Sequence, residues 1–353
     1  MKILVSALEH SANMHLKSLK KELSNDVEFI GIFDCELGTP IVDLRSLAIM
    51  GFVDAIKKLR YFFKLNAQMV DLAADADKVL LIDSSGFNLP LAKKIKKRYP
   101  DKEIIYYILP QAWAWKKKRI PVLEQTIDHL ASILPFEKDY YSKDAPITYV
   151  GHPLLDIIKE FKQELNSEVK TIAFMPGSRK GEIKKLMPIF KEVSLKLGLA
   201  SYIIIPEYFT KEEIEELYGD LSSFKIVHDA HKTLREVDFA FICSGTATLE
   251  ASLIGTPFVL SYIAKALDYF IASRLVKLNY LGLGNIMFTQ FNDRSLHPEF
   301  IQKDVTTDNL IKAFLNYDRK QFFDDSKLLR AYLKHGSSKN VAQILQNNTL
   351  GKK

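Results

Sequence analysis

The sequence predicts an α/β protein made of two doubly wound, parallel-sheet domains. Three observations carry this. Short β-rich apolar runs recur along the chain, and helix-period segments separate most of them, the succession of a βαβ fold. The runs are apolar throughout rather than alternating, as in strands buried on both faces. The length of 353 residues suits two domains, at roughly 100–200 residues each.

The elements follow in order. Strands are expected at Ile3–Ala7, Phe29–Phe33, Val79–Ile82, Ile104–Ile108 and Leu130–Leu134, with helices at Leu89–Arg98 and after Trp115. Residues 156–169 are charged and strandless, and are expected to form a linker. The rhythm restarts at Ile172–Met175, Tyr202–Ile205, Lys225–Val227, Phe239–Cys243 and Pro257–Leu260. The C-terminal end reads as helices, clearest at Leu328–Leu333 and Val341–Leu345. The domains are therefore drawn at 1–155 and 170–353, with the terminal helices in the second. The carboxyl ends of the two sheets are expected to face one central cleft, an arrangement suited to two substrates.

Composition narrows the function. Apolar residues are 47% and charged residues 26% of the chain, which excludes a disordered or collagenous protein. The net charge of +6 is small beside 49 basic and 43 acidic residues. It permits an anionic substrate or membrane surface and gives no sign of nucleic-acid binding. Cys35 and Cys243 stand far apart, so no disulfide framework or zinc knuckle is legible. Two reduced thiols suit the cytoplasm. The apolar N-terminal run soon meets Glu9 and reads as a strand, not a signal sequence. The longest uncharged stretch, Leu278–Asn292, falls short of the about 20 apolar residues a spanning helix needs.

Four strand-to-helix turns could carry chemistry. Met175-Pro176-Gly177-Ser178-Arg179 runs from a strand into a helix. Gly177 permits a sharp turn, the helix start offers free N–H groups with Ser178, and Arg179 offers a planar fork for phosphate oxygens. Ser244-Gly245-Thr246 repeats the pattern, with Glu250 about a turn further on, placed for ribose hydroxyls. The alternatives are N-capping by Ser244 or Thr246 and a capping-box role for Glu250. Together the two loops favour a nucleoside diphosphate, while the absence of GxGxxG and GxxxxGK[ST] disfavours NAD and a P-loop. In the first domain, Asp83 ends a strand, either as a general base for a sugar hydroxyl or as a cap or turn residue. The turn Ser6–Asn13 points the same way. His10 and His15 read as exposed helix positions, and no cluster has metal-ligand spacing.

Two further segments concern surfaces. Trp113 and Trp115 precede Lys116-Lys117-Lys118-Arg119, a pattern for an acidic or lipidic headgroup or for a core tryptophan beside a solvated basic face. Apolar residues at Ile49, Phe52, Val53, Ile56, Leu59 and Phe63 form a helical stripe, with Phe62 beside it and Lys57, Lys58, Arg60 and Lys64 mostly off it. Such a helix either lies on an anionic membrane or packs on its own sheet.

Taken in order, these segments resemble the lipid-A-disaccharide synthases, inverting glycosyltransferases of the GT-B class. The resemblance rests on Ile49–Phe52, Asp83 with Phe87-Asn88, Trp113–Lys116, Leu134–Glu137, Val150–Pro153, Met175–Arg179 with Glu182, Ser244–Ala247 with Glu250, and Tyr280 with Asn285. It implies transfer from UDP-2,3-diacylglucosamine to 2,3-diacylglucosamine 1-phosphate, giving the β-1,6-linked disaccharide 1-phosphate of lipid A and UDP. It implies no cofactor or catalytic metal, and a cytoplasmic enzyme peripheral on the inner membrane of a Gram-negative bacterium, with a homodimer among the possible assemblies. Asp83 becomes the base and Arg179 the catalytic charge. Gly177, Ser178, Ser244, Gly245, Thr246, Glu250 and Asn285 become donor residues. Glu9, Ser11, Asn88 and Trp115 become acceptor residues. The membrane-facing set is Ile49, Phe52, Val53, Ile56, Phe62 and Phe63. The chain departs from the family's usual pattern at Asn13 and Gly86, where aspartate is common, and at Gly284, where proline is. Two other readings stay open: another UDP-sugar enzyme of the same class, such as a lipid-linked transferase or a UDP-N-acetylglucosamine 2-epimerase, and a nucleotide- or lipid-binding homologue without turnover.

Overall fold

The computed structural model describes residues 1–43, 55–264 and 279–347, in two units. The first carries seven parallel strands: β1 (Lys2–Ser6), β2 (Glu28–Phe33), β3 (Val42–Asp43), β4 (Lys78–Ile82), β5 (Glu103–Tyr107), β6 (His129–Ser132) and β7 (Ile147–Tyr149). Their order is β3-β2-β1-β4-β5-β6-β7. The second carries β8 (Thr171–Met175), β9 (Ala200–Ile204), β10 (Lys225–Val227), β11 (Phe239–Cys243), β12 (Phe258–Tyr262) and β13 (Glu299–Ile301), ordered β10-β9-β8-β11-β12-β13. Both sheets are doubly wound as expected, and each reverses direction between its first and fourth strand. The crevice outside such a reversal is where open α/β sheets bind ligands.

The central strands are apolar runs because helices cover both faces. All five residues of β4 and of β11 are buried. One layer over the first sheet holds Leu65, Met69, Leu91 and Ile95, and the other holds Leu16, Leu19, Val341 and Leu345. In the second sheet Phe174 stacks on Phe241 at 5.2 Å and meets Phe190 at 5.3 Å. Gly31 in β2 has φ +116°, and a Cβ there would stand 2.4 Å from the Val5 carbonyl oxygen, so the β1–β2 pairing demands glycine.

Three expectations are corrected. The short strands β3, β7 and β13 escaped the sequence reading because two or three residues give too little pattern. The stretch 158–169 is tied to the second unit: buried Lys162 donates its main-chain N–H to the Ile254 carbonyl and its ammonium to the Arg235 carbonyl, both at 2.8 Å. The terminal helices do not all belong to the second domain, because the chain from Leu333 onward returns to the first. The helix Ser337–Gln346 is held there at both ends by charge. The Asp156 carboxylate accepts the Gly336 and Ser338 N–H groups at 2.8 Å each. The buried Lys78 ammonium donates to the carbonyls of Ile344 (3.4 Å) and Asn347 (2.8 Å), and also faces Glu103. An anion at the helix start and a cation at its end complement the helix dipole.

Candidate active site

In the first unit the turn after β4 adopts an unusual backbone. Asp83 and Ser84 have φ +50° and +42°, and Ile108, just after β5, has φ +61°. Left-handed residues other than glycine cost of order 1–3 kcal/mol each and persist only where surroundings dictate them. Here the Asp83 carbonyl is clamped by the Tyr106 hydroxyl at 2.7 Å and the Asn88 amide at 2.8 Å. Asn88 is fully buried, also donates to the Ile82 carbonyl (3.1 Å), and accepts the Ser6 hydroxyl at 2.6 Å. The helix therefore begins at Ser85, earlier than the sequence suggests, with Ser84 as an N-cap that makes no side-chain capping bond. Asp83 precedes that cap and does not fill it.

The Asp83 carboxyl stands above the ordinary carboxylate range, chiefly through burial and then through the charge of Glu9, while the Ser84 main chain pulls it back. Glu9 is exposed and accepts the Ser84 hydroxyl at 3.2 Å. Ser11 is exposed at the start of the helix His10–Lys20. Asn13, where the resemblance leads one to expect aspartate, is buried. Its amide donates to the carbonyls of Ala7 and Glu9 at 2.9 Å each, and its oxygen accepts the Asp34 N–H at 2.7 Å. A carboxylate could only accept, so in this chain the residue braces the loop that carries Glu9.

Several expectations take a different place here. Asn88 spends its hydrogen-bonding capacity inside the fold and acts on Asp83 by position. His15 is not an exposed helix residue: it packs edge-on against Tyr107 at 6.4 Å, and burial takes its imidazole down to about 4. Trp113 is a core residue against Phe136 at 5.0 Å, while the Trp115 side chain lies outside the described residues. Ile49, Phe52 and Val53, and the side chain of Ile56, lie outside them too. Phe62 packs on Phe87 at 6.1 Å within its own unit. Phe63 is 62% exposed.

In the second unit the loops after β8 and β11 flank the reversal of the sheet. Gly177 has φ +102°, and a Cβ there would stand 2.7 Å from a Glu182 carboxylate oxygen and 3.1 Å from Cys243 Sγ, so glycine is required. Ser178 and Arg179 are exposed, and the Ser178 carbonyl accepts the Tyr208 hydroxyl at 3.1 Å. Arg179 precedes the helix Lys180–Leu197, makes no side-chain cap bond, and pairs with Glu182 at 2.9 Å with its side chain 79% exposed. Gly245 is the N-cap of Thr246–Ile254 and has no side chain to cap with. Ser244 and Thr246 therefore do not cap this helix, and Glu250 lies beyond the capping-box position. Glu250 instead faces His231 at 3.6 Å, and this contact raises the imidazole pKa.

Asn285 is corrected from a donor contact to a structural brace. Fully buried, it donates to the His297 carbonyl (2.9 Å) and Glu299 (2.7 Å) and accepts the Leu296 and His297 N–H groups at 2.7 and 3.0 Å. All four hydrogen-bonding positions of its side chain are thus taken within the unit. The sequence reading missed Tyr106 and His231. Tyr106 sits in an ordinary strand run and His231 in a helix of no marked pattern, so only the fold brings them to Asp83 and Glu250. Glu137, which the sequence reading named only within the Leu134–Glu137 segment and gave no role, is buried, accepts the Ser132 hydroxyl at 2.5 Å, and is raised by burial to about 7.

Comparison with known proteins fits this arrangement. The sequence model of the lipid-A-disaccharide synthetase family matches residues 3–348. The lipid-A-disaccharide synthase of Helicobacter pylori strain G27 is 50% identical over 353 residues, covering 96% of each chain. That of Campylobacter jejuni strain RM1221 is 47% identical over 362 residues, covering 97% of this chain and 98% of that one. Solved structures share the fold at low identity. Acinetobacter baumannii MurG has a TM-score of 0.59 at 13% identity, covering 98% of this chain and 99% of that one. The UDP-GlcNAc 2-epimerase of Neisseria meningitidis bound to UDP-GlcNAc has 0.58 at 13%, covering 98% and 100%. The calicheamicin glycosyltransferase CalG4 has 0.59 at 10%, covering 98% and 97%. The fold is thus that of GT-B glycosyltransferases and UDP-sugar epimerases, and the full-length match separates this chain from both the epimerases and MurG: it belongs to the lipid-A-disaccharide synthase family, whose members are glycosyltransferases.

Proposed function

We propose that this chain joins UDP-2,3-diacylglucosamine to 2,3-diacylglucosamine 1-phosphate, forming the β-1,6-linked disaccharide 1-phosphate and UDP. The observation that carries the reading is the clamped, left-handed turn that fixes Asp83 beside β1 and β4 with a raised carboxyl. Asp83 takes the proton from the acceptor 6-hydroxyl. The oxygen attacks the donor anomeric carbon on the face opposite the nucleotide, the C1–O bond breaks, and UDP leaves with the electron pair. The leaving charge meets Arg179 and the N–H groups at the starts of Lys180–Leu197 and Thr246–Ile254, whose preceding residues make no side-chain cap bond. In this reading the stabilisation needs no metal, and Glu250, steadied by His231, accepts from the ribose hydroxyls.

We also place the enzyme peripherally on an anionic bilayer through the helix that includes Ala55–Leu72, on the strength of exposed Phe63 and its basic neighbours. Among the described residues no helix is long and apolar enough to cross a membrane.

Asp83→Asn lowers kcat about 10²–10⁴-fold, the usual loss of a general base, and leaves UDP binding unchanged. A variant that keeps most of its turnover removes Asp83 from the mechanism. Because Asp83 acts unprotonated and its pKa is raised, activity falls as pH drops through that raised value. Glu9→Gln withdraws a neighbouring negative charge, so the acid limb of the kcat/KM profile moves to lower pH. An unmoved limb contradicts the coupling.

Arg179→Ala weakens donor binding about 10–100-fold through loss of a charge-assisted contact. Glu250→Ala weakens UDP more than inorganic diphosphate in calorimetry, and equal weakening of both contradicts the ribose assignment. For the membrane, each basic residue near an anionic surface contributes about 1 kcal/mol. Lys57→Glu with Lys58→Glu therefore releases the protein from anionic vesicles in sedimentation, and undiminished sedimentation rejects this docking helix.

A further inference from the structure

Arg119 differs in its partner from six other arginines of the described residues. Arg98, Arg179, Arg235 and Arg294 each face a carboxylate. Arg319 and Arg330 hold main-chain carbonyls. The side-chain hydrogen bond recorded for Arg119 among the described residues runs from Nη1 to the Ser85 hydroxyl, a neutral partner, at 3.0 Å. The side chain is half-buried, with exposed Lys117 and Lys118 just before it. Ser85 is the first residue of the helix Ser85–Arg98, whose N-cap makes no side-chain capping bond. Beside it Gly86 is exposed, and a Cβ there would meet nothing within 4 Å. A guanidinium fork and an open helix start, each favouring a phosphate, thus meet beside space that admits one.

That point is close to the base. Asp83 and Ser85 are two residues apart, so their Cα atoms are separated by at most about 7 Å. The acceptor requires such closeness. Its 6-hydroxyl is on C6, which hangs from C5, and its phosphate is on C1; C1 and C5 are both bonded to the ring oxygen, so the two groups leave the same edge of the sugar. A phosphate brought there faces the negative charges of Asp83 and Glu9, and the guanidinium with the helix start offsets that repulsion. We infer that Arg119, aimed by Ser85, binds the anomeric phosphate of the acceptor and selects phosphorylated over unphosphorylated sugar. The inference rests on the reaction proposed above.

The test compares two acceptors, 2,3-diacylglucosamine 1-phosphate and the same sugar without the phosphate, at saturating donor. Arg119→Met raises KM for the phosphorylated acceptor about 10–100-fold, the worth of a hydrogen bond to a charged group. The preference between the two acceptors collapses, and donor KM and the melting temperature hold. Arg119→Lys restores part of the preference, because the charge returns without the fork. Ser85→Ala, which removes the brace and keeps the guanidinium, gives a smaller loss confined to the phosphorylated acceptor. Equal losses on both acceptors, in Arg119→Met and Ser85→Ala alike, show that the pair only supports the turn and overturn the inference alone. A wild-type protein inactive on both acceptors overturns the reaction itself and this assignment with it.

Discussion

The clamp on the Asp83 carbonyl is the interaction on which the catalytic reading depends. Two donors, the Tyr106 hydroxyl and the Asn88 amide, hold a carbonyl whose residue sits in a region of backbone space that aspartate seldom occupies. Each donor is rooted in the core of the first unit. Tyr106 is buried in β5, and Asn88 is fixed by Ser6 from β1 and by the Ile82 carbonyl from β4. Three adjacent strands therefore cooperate to turn one carboxylate out of a sheet edge. The same turn starts the next helix at Ser85, which puts Arg119 within reach and leaves the Ser85 and Gly86 N–H groups without an intrahelical partner, while that of Phe87 bonds the Ser84 carbonyl.

The helix starts beside the sheet reversals carry no side-chain cap. Away from the ligand edges, Thr210, Asp229 and Thr306 use their own side chains to satisfy the first N–H groups of their helices. At the edges flanking the sheet reversals, Glu9, Ser84, Arg179 and Gly245 make no such bond, and neither do Gln111, Arg119, Gly282 and Gly336 elsewhere. An uncapped helix start forgoes about 1 kcal/mol of stability and keeps its positive end available to an anion. The pattern is consistent with one unit receiving a sugar phosphate and the other a nucleoside diphosphate.

The fold class was legible because buried parallel strands leave uninterrupted apolar runs, and β1, β2, β4, β5, β8 and β11 all do. The return of the terminal helix to the first unit was not, since its apolar stripe at Val341 and Leu345 says only that it is buried. The partners that fix where it is buried, Asp156 and Lys78, are distant in sequence. The turns of the candidate site were legible where a motif and a strand end coincide, as at Gly177–Arg179 and Asp83. The sequence misled where a polar residue is recognisable but consumed by the fold, as at Asn88 and Asn285, because sequence does not say which hydrogen bonds are already taken. Arg119 was visible only as part of a basic run, and its bond to Ser85 singles it out.

The account is tested most directly by incubating the purified protein with UDP-2,3-diacylglucosamine and 2,3-diacylglucosamine 1-phosphate and identifying the products. It predicts one UDP released for each disaccharide formed, with a β-1,6 linkage shown by the anomeric proton coupling. Release of UDP without a disaccharide, or a linkage of the opposite configuration, would contradict the single-displacement mechanism assigned to Asp83.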